Sequence, residues 1–73
     1  MNFGQAIEAL KEGKKVKRGI WGGYWFIPVS EPYIESEKAP MRPMIVAYLA
    51  NNGGYVPAQA YQADMLAEDW EIV

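Results

Sequence analysis

The first part of the chain carries apolar side chains at the spacing of one helix face: Phe3, Ala6, Ile7 and Leu10. Asn2 precedes this stripe, and its side-chain oxygen can accept hydrogen bonds from the first turn, with Gln5 placed to complete a capping box. Gly13 suits the position that ends many helices. The pattern therefore predicts an N-terminal helix that buries Phe3 and Leu10 against a sheet.

Short apolar or alternating segments follow this helix, separated by Gly, Pro and Asn. They predict strands at residues 15–18, 24–27, 44–49, 55–56 and 69–73. The Asn-Asn-Gly-Gly sequence before the fourth of these strands favours a hairpin, because Asn-Gly accepts positive φ at both central turn positions.

The remaining segments predict a second helix and a loop. Residues 60–67 are rich in Ala, Met, Leu and Gln and favour a short helix. Residues 30–43 are rich in proline and glutamate and favour a loop without packing signals of its own. We therefore predict an α+β fold, with a small antiparallel sheet of about five strands, an N-terminal helix and a short second helix near the C-terminus. The last strand is expected beside an early one.

Length limits the chain to one domain, residues 1–73. A chain of this size buries only ~60% of the surface that its unfolded form exposes. It has no cysteine, so disulfides cannot add stability. Association with copies of itself is the remaining route to a larger buried core, and we expect it here.

Composition then excludes several classes of chemistry. Without His or Cys the chain cannot perform Ser-His, Cys-His or thiol catalysis, and it lacks the usual zinc ligands. A formal net charge of −2 disfavours a nucleic-acid polymer as partner. We expect no membrane span, because no apolar run approaches ~20 residues, and no signal peptide, because the N-terminus lacks a basic stretch before an apolar core.

The acidic residues favour neither a catalytic pair nor a metal site. Several glutamates lie in the predicted loop, where fixed acid–base geometry is hard to maintain. Asp64, Glu68 and Asp69 flank the second helix, and their spacing matches no calcium loop. We therefore expect no catalytic residues, no metal and no cofactor.

Glycines surround one tryptophan in the turn after the first strand. Gly19, Gly22 and Gly23 lie around Trp21 without matching a phosphate-binding glycine motif. They predict a tight turn with positive φ. They also leave room for a ligand to approach the backbone beside Trp21, and the two interpretations are compatible.

The chain is unusually rich in aromatic side chains, at 14%. Alternation places Tyr24 and Phe26 on one face of their strand and Trp25 and Ile27 on the other. If the helices cover one face, the other is aromatic as well and must meet a second subunit, a ligand or both. Composition favours a subunit interface, although the Trp21 indole in its turn could stack on a purine base.

The two ends of the chain carry the most specific pattern. Residues 1–16 read MNFGQAIEALKEGKKV and residues 62–73 read QADMLAEDWEIV. Between them, Arg18 precedes Trp21, and Arg42 stands just before the third strand. These features resemble the phage Thoeris anti-defence type-two proteins over nearly the whole chain.

This resemblance implies a molecular sponge. Such a protein binds the cyclic ADP-ribose isomers made by a bacterial TIR-domain immune enzyme and keeps them from the effector without degrading them. Some relatives also bind cyclic dinucleotides at a separate site. The resemblance further implies a homotetramer with pockets between subunits, working in the cytoplasm of the infected bacterial host. The alternative is a small oligomeric protein-binding module that acts on a host or phage protein.

The resemblance also suggests which aromatic residues bind the ligand. Trp21 and Trp70 resemble the family's paired tryptophans and would stack on adenine. Tyr24 and Trp25 would line the pocket from the second strand, or simply pack.

Polar candidates complete the expected site. Asn2 and Phe3 lie at a helix start, where N–H groups can face a pyrophosphate, or they act as cap and core. Arg18 and Arg42 match phosphate oxygens, or are surface charges. Gln62 and Asp64 would hydrogen-bond a base edge or ribose hydroxyls, with the alternative that Asp64 caps the last turn and strand.

Overall fold

The computed structural model describes residues 1–28, 33–34, 39–40, 43–51 and 53–73. Its helices are α1 (Phe3–Lys11) and α2 (Gln62–Met65). Its strands are β1 (Val16–Arg18), β2 (Tyr24–Phe26), β3 (Tyr33–Ile34), β4 (Ala39–Pro40), β5 (Val46–Leu49), β6 (Gly54–Pro57) and β7 (Trp70–Ile72). Five strands form one antiparallel sheet in the order β6-β5-β2-β1-β7, which confirms the predicted α+β fold.

Helix α1 begins with the predicted capping box. The side-chain oxygen of Asn2 accepts from the Gln5 N–H at 2.8 Å, and the Gln5 side-chain oxygen accepts from the Asn2 N–H at 2.8 Å. Gly13 follows the helix with φ of +89°, as predicted for its end. The cap role considered for Asn2 is therefore confirmed.

The core lies between α1 and one face of the sheet. Its buried side chains are Ala6, Ala9, Leu10, Val16, Trp25, Ala47 and Trp70. Val16 stands opposite Trp25 on β2 and Ile72 on β7, so the last strand does pair with an early one. Phe3 packs at the margin of this core, with its ring centroid 5.7 Å from that of Trp70.

The predicted hairpin joins β5 and β6. Gly53 has a φ of +62°, and its N–H donates to the carbonyl of Leu49 at 2.7 Å. Asn52, which precedes Gly53 in the predicted Asn-Gly turn, lies outside the described residues. Among those that are described, no helix is long and apolar enough to cross a membrane.

Two segments differ from their predicted form. The second helix covers only Gln62–Met65 and not residues 60–67, because Tyr61 keeps an extended backbone and Leu66 ends the helix. The predicted loop at 30–43 contains a two-stranded ribbon, in which β3 pairs with β4. Strands of two residues are too short to give a recognisable alternation, so the sequence pattern missed them.

Candidate functional site: an aromatic groove

An open groove crosses the core face of the sheet at the end away from α1. The helix packs against β1 and β7, whereas Val56 on β6 remains 39% exposed. The cross-strand neighbours Trp25, Ala47 and Val56 contribute to the groove. Its volume is about 710 Å³, within the ~300–1,000 Å³ typical of small-molecule pockets.

Trp21 forms one wall of the groove and is braced from behind. Its ring centroid lies 5.2 Å from that of Trp25 and 5.1 Å from that of Trp70, the latter edge to face. The Trp21 carbonyl accepts from the Lys17 ammonium at 2.8 Å, and the Trp21 N–H donates to the Arg18 carbonyl at 3.0 Å. The half-buried indole is therefore held in a defined orientation while it still borders the groove.

Trp70 supports this wall and does not offer a ring face to the groove. It is only 2% exposed, and its indole N–H donates to the Asp64 carbonyl at 2.9 Å. The expectation that Trp70 stacks on a base does not fit this burial, because both ring faces are covered by core side chains. Its contact with Trp21 makes it a brace for the residue that can stack.

Gly23 has a steric role beside Trp21. The described glycines with positive φ are Gly13 and Gly53, so the positive φ predicted for Gly19, Gly22 and Gly23 is wrong. At Gly23, an added Cβ would instead overlap the Tyr48 carbonyl on β5. Glycine is needed here because two backbone segments approach closely.

A second wall of the groove carries Tyr61 and Asp64. Tyr61 is 68% exposed and borders the groove, whereas Asp64 is 7% exposed. One Asp64 carboxylate oxygen accepts from the Tyr61 N–H at 3.0 Å, and the other accepts from the Arg18 guanidinium at 3.0 Å. Asp64 therefore caps the start of α2, and not the last turn and strand as expected.

Arg18 is occupied by carboxylates of its own chain. Besides Asp64, its guanidinium binds Asp69 through Nε at 2.9 Å and through Nη2 at 3.5 Å. The hydrogen bonds to Asp69 and Asp64 raise the pKa of Arg18, and the Arg18 hydrogen bond lowers the pKa of Asp69. The structure thus assigns Arg18 neither of its expected roles, since it is neither a free phosphate ligand nor an unpaired surface charge.

The structure brings together only part of the expected site. Three of the expected residues border the groove on its own face of the sheet: Trp21, Trp25 and Asp64. Tyr24 also contributes to the lining from β2, although its ring lies with that of Tyr48 on the other face. Asn2 lies at a separate shallow hollow near the start of α1, and Phe3 packs with the core. Gln62 is exposed on α2 without bordering the groove, and Arg42 lies outside the described residues.

Sequence reasoning missed several groove residues. Tyr61 is not among the predicted binding residues, although it is 68% exposed and borders the groove. Val56 and Gln59 also border the groove. Their proximity to Trp21 depends on the pairing of β6 with β5 and of β5 with β2, which no local pattern specifies.

The other face of the sheet is aromatic, as alternation predicted. Tyr24, Tyr48 and Tyr55 form a row across three strands, with neighbouring ring centroids 5.1 and 5.4 Å apart. Phe26 extends this cluster, and the Lys15 ammonium lies 4.8 Å from the Tyr24 ring centroid. We call Tyr24, Phe26, Tyr48 and Tyr55 the aromatic face.

Comparison with known proteins matches the whole chain. The family profile for the Thoeris anti-defense 2-like domain covers residues 1–73. A relative described as "Thoeris anti-defense 2", from Bacillus phage SP01, is 32% identical over 87 residues, covering 100% of this chain and 94% of the relative. The aligned region is longer than this chain, so the relative has inserted residues. The chain therefore belongs to the Thoeris anti-defense 2-like family, whose name and phage relative indicate a role in anti-defence.

Proposed function

We propose that this protein binds a cyclic nucleotide immune signal in the groove and releases it chemically unchanged. The preferred ligands are cyclic ADP-ribose isomers, with cyclic dinucleotides as a second class. The observation that carries this proposal is a braced tryptophan, Trp21, facing a groove of small-molecule size. Capture in the cytoplasm of the infected host would keep the signal from its effector.

The aromatic walls supply the main binding contacts in this proposal. Base–aromatic stacking contributes ~1–3 kcal/mol per base, whereas a dissociation constant of 1 nM needs about −12 kcal/mol. Stacking on Trp21 and Tyr61 therefore has to be joined by polar contacts. The brace of Trp25 and Trp70 behind Trp21 reduces the entropy lost on binding, because the indole is ordered before the ligand arrives.

Polar groups of the groove suit a base edge and ribose hydroxyls. Asn51 and Gln59 border it and offer amide donors and acceptors. No lysine or arginine lines it within the part of the chain that the structure describes. The ligand's phosphates are thus expected to face solvent or cations outside this lining.

We propose capture of the ligand instead of catalysis, because the groove offers no free carboxylate among the described residues that border it. Asp64 is the only carboxylate among the described residues that border the groove. Both of its side-chain oxygens already accept hydrogen bonds, one from Arg18 and one from Tyr61. A general base has to lie within hydrogen-bond reach of the proton that it removes, whereas Asp64 is only 7% exposed and its carboxylate is held by these contacts within its own chain.

We also propose that the aromatic face joins copies of the chain, up to a homotetramer. Tyr55 on this face is 61% exposed, and aromatic side chains are enriched at protein interfaces. Tyr55→Lys should shift the sedimentation coefficient towards the monomer. Leu66→Lys is the matched control, because Leu66 is 79% exposed but lies on neither the aromatic face nor the groove. Equal sedimentation coefficients for the two variants would contradict the assignment of the aromatic face as the interface.

Calorimetric titration with cyclic ADP-ribose isomers and cyclic dinucleotides tests the binding proposal. We expect heat with at least one ligand, and mass spectrometry after thermal denaturation should recover that ligand intact. A cleaved product would identify an enzyme. Absence of heat with every ligand, together with capture of a specific host or phage protein, would favour the protein-binding module, for which the exposed Tyr55 on the aromatic face is the supporting observation.

A further inference from the structure

The groove wall that carries Tyr61 has little apolar anchoring. Helix α2 has four residues, and isolated helices shorter than ~12 residues are marginal in water. Met65 and Leu66 are 44% and 79% exposed. Only the small side chains of Ala60 and Ala67 pack against the core on either side. Polar contacts must therefore contribute much of what holds this wall to the sheet.

Asp64 concentrates these polar contacts. Its two carboxylate oxygens accept from Arg18 on β1 and from the Tyr61 backbone, each at 3.0 Å. Its carbonyl accepts from the Trp70 indole on β7 at 2.9 Å. A single buried residue of α2 is thus connected to two strands and to the backbone of Tyr61.

Asp69 orients the guanidinium that reaches Asp64. Arg18 donates to Asp69 through Nε and Nη2, which leaves Nη1 directed at Asp64. The Arg18 side chain is 17% exposed. A planar guanidinium can bridge two carboxylates in this way, whereas the single ammonium of lysine cannot reproduce the geometry.

We propose that Arg18, Asp64 and Asp69, here called the latch cluster, fix the Tyr61 wall of the groove and act as positioning residues without contacting the ligand. This inference rests on the proposed function insofar as it concerns ligand affinity. The connection reaches both walls, because Asp64 binds the Tyr61 backbone directly and contacts Trp70, which in turn braces Trp21.

Amide hydrogen exchange in the free protein tests the latch without any ligand. The amides to follow are those of Met65, Leu66 and Ala67, which donate to carbonyls within this segment. Arg18→Lys and Asp64→Asn should each raise their exchange rates about tenfold or more, while α1 keeps its protection. Glu12→Gln is the matched control, since its carboxylate forms an exposed ion pair with Lys14. Unchanged rates near α2, or an equal rise in α1, would overturn the proposal.

The affinity for the nucleotide that binds most tightly in the calorimetric panel distinguishes a positioning role of the latch cluster from direct contact with the ligand. If the latch cluster acts as a unit, Arg18→Lys alone and Arg18→Lys combined with Asp64→Asn should weaken binding by similar factors. Independent ligand contacts would instead give fold-changes that multiply, which would overturn the positioning role. If wild type binds none of these nucleotides, the proposed function fails, and the exchange experiment still decides whether the latch exists.

Discussion

Replacing Trp21 with alanine separates binding from folding most clearly, provided that its cost in stability is counted. The ring contacts Trp25 and Trp70, with centroids 5.2 and 5.1 Å away, and is half-buried. A fully buried aromatic→Ala change costs ~3–5 kcal/mol, so about 2 kcal/mol is expected for Trp21→Ala. At ~0.05–0.15 kcal/mol per residue, the whole domain has a free energy of unfolding of about 4–11 kcal/mol.

Trp21→Ala should therefore remain folded but melt about 10 °C lower than wild type. Loss of one stacking contact of ~1–3 kcal/mol corresponds to a binding constant weakened about 5- to 150-fold. Calorimetric titration well below the melting temperature, with circular dichroism to verify folding, measures this change. Trp21→Phe keeps a ring at the site and should lose less affinity than Trp21→Ala. Wild-type affinity in a folded Trp21→Ala protein would refute the assignment of the groove.

Three further changes test the fold that supports the groove. Gly23→Ala should lower the melting temperature markedly, because its Cβ would overlap the Tyr48 carbonyl; Gly22→Ala is the control, since its nearest contact would be the Ala50 Cβ at 3.4 Å. Leu10→Ala, at a position 1% exposed, should cost ~2–5 kcal/mol in urea denaturation, and a loss below ~1 kcal/mol would contradict the described core. The pKa of Asp69 is lower in the folded protein than its ordinary 3.8, so the unfolded state takes up a proton first as pH falls through that range. The stability from Asp69 is thus present above about pH 4 and declines below it; Asp69→Asn should flatten this part of the pH–melting profile, and identical slopes would contradict the pairing with Arg18.

Features determined by neighbouring residues could be predicted from the sequence. The start of α1 depends on Asn2 and Gln5, which are close in the chain and satisfy each other's backbone donors. The Asn-Gly pair predicted the β5–β6 hairpin, and Gly53 has the positive φ that this pair favours. Alternation in β2 separated the buried Trp25 from Tyr24 and Phe26 on the aromatic face.

The parts that prediction missed depend on residues far apart in the sequence. Arg18 meets Asp64 and Asp69 across separations of 46 and 51 residues, so its carboxylate partners could not be read from the residues around it. Trp70 became a brace because its indole N–H finds the Asp64 carbonyl in the core. The family resemblance identified Arg18 and Trp70 as candidate ligand-binding residues. Whether their side chains can contact a ligand depends on burial, which only the folded chain determines.

The most direct test of the central claim is an NMR titration that follows the three tryptophan indole N–H signals. A bound cyclic nucleotide should shift the Trp21 signal most strongly and the Trp25 signal less. The Trp70 signal should move least, because that N–H is buried and bonded to Asp64. Saturation at the stoichiometry found by calorimetry would support nucleotide capture in the groove. A ligand that binds by calorimetry yet leaves the Trp21 and Trp25 signals unchanged would contradict it.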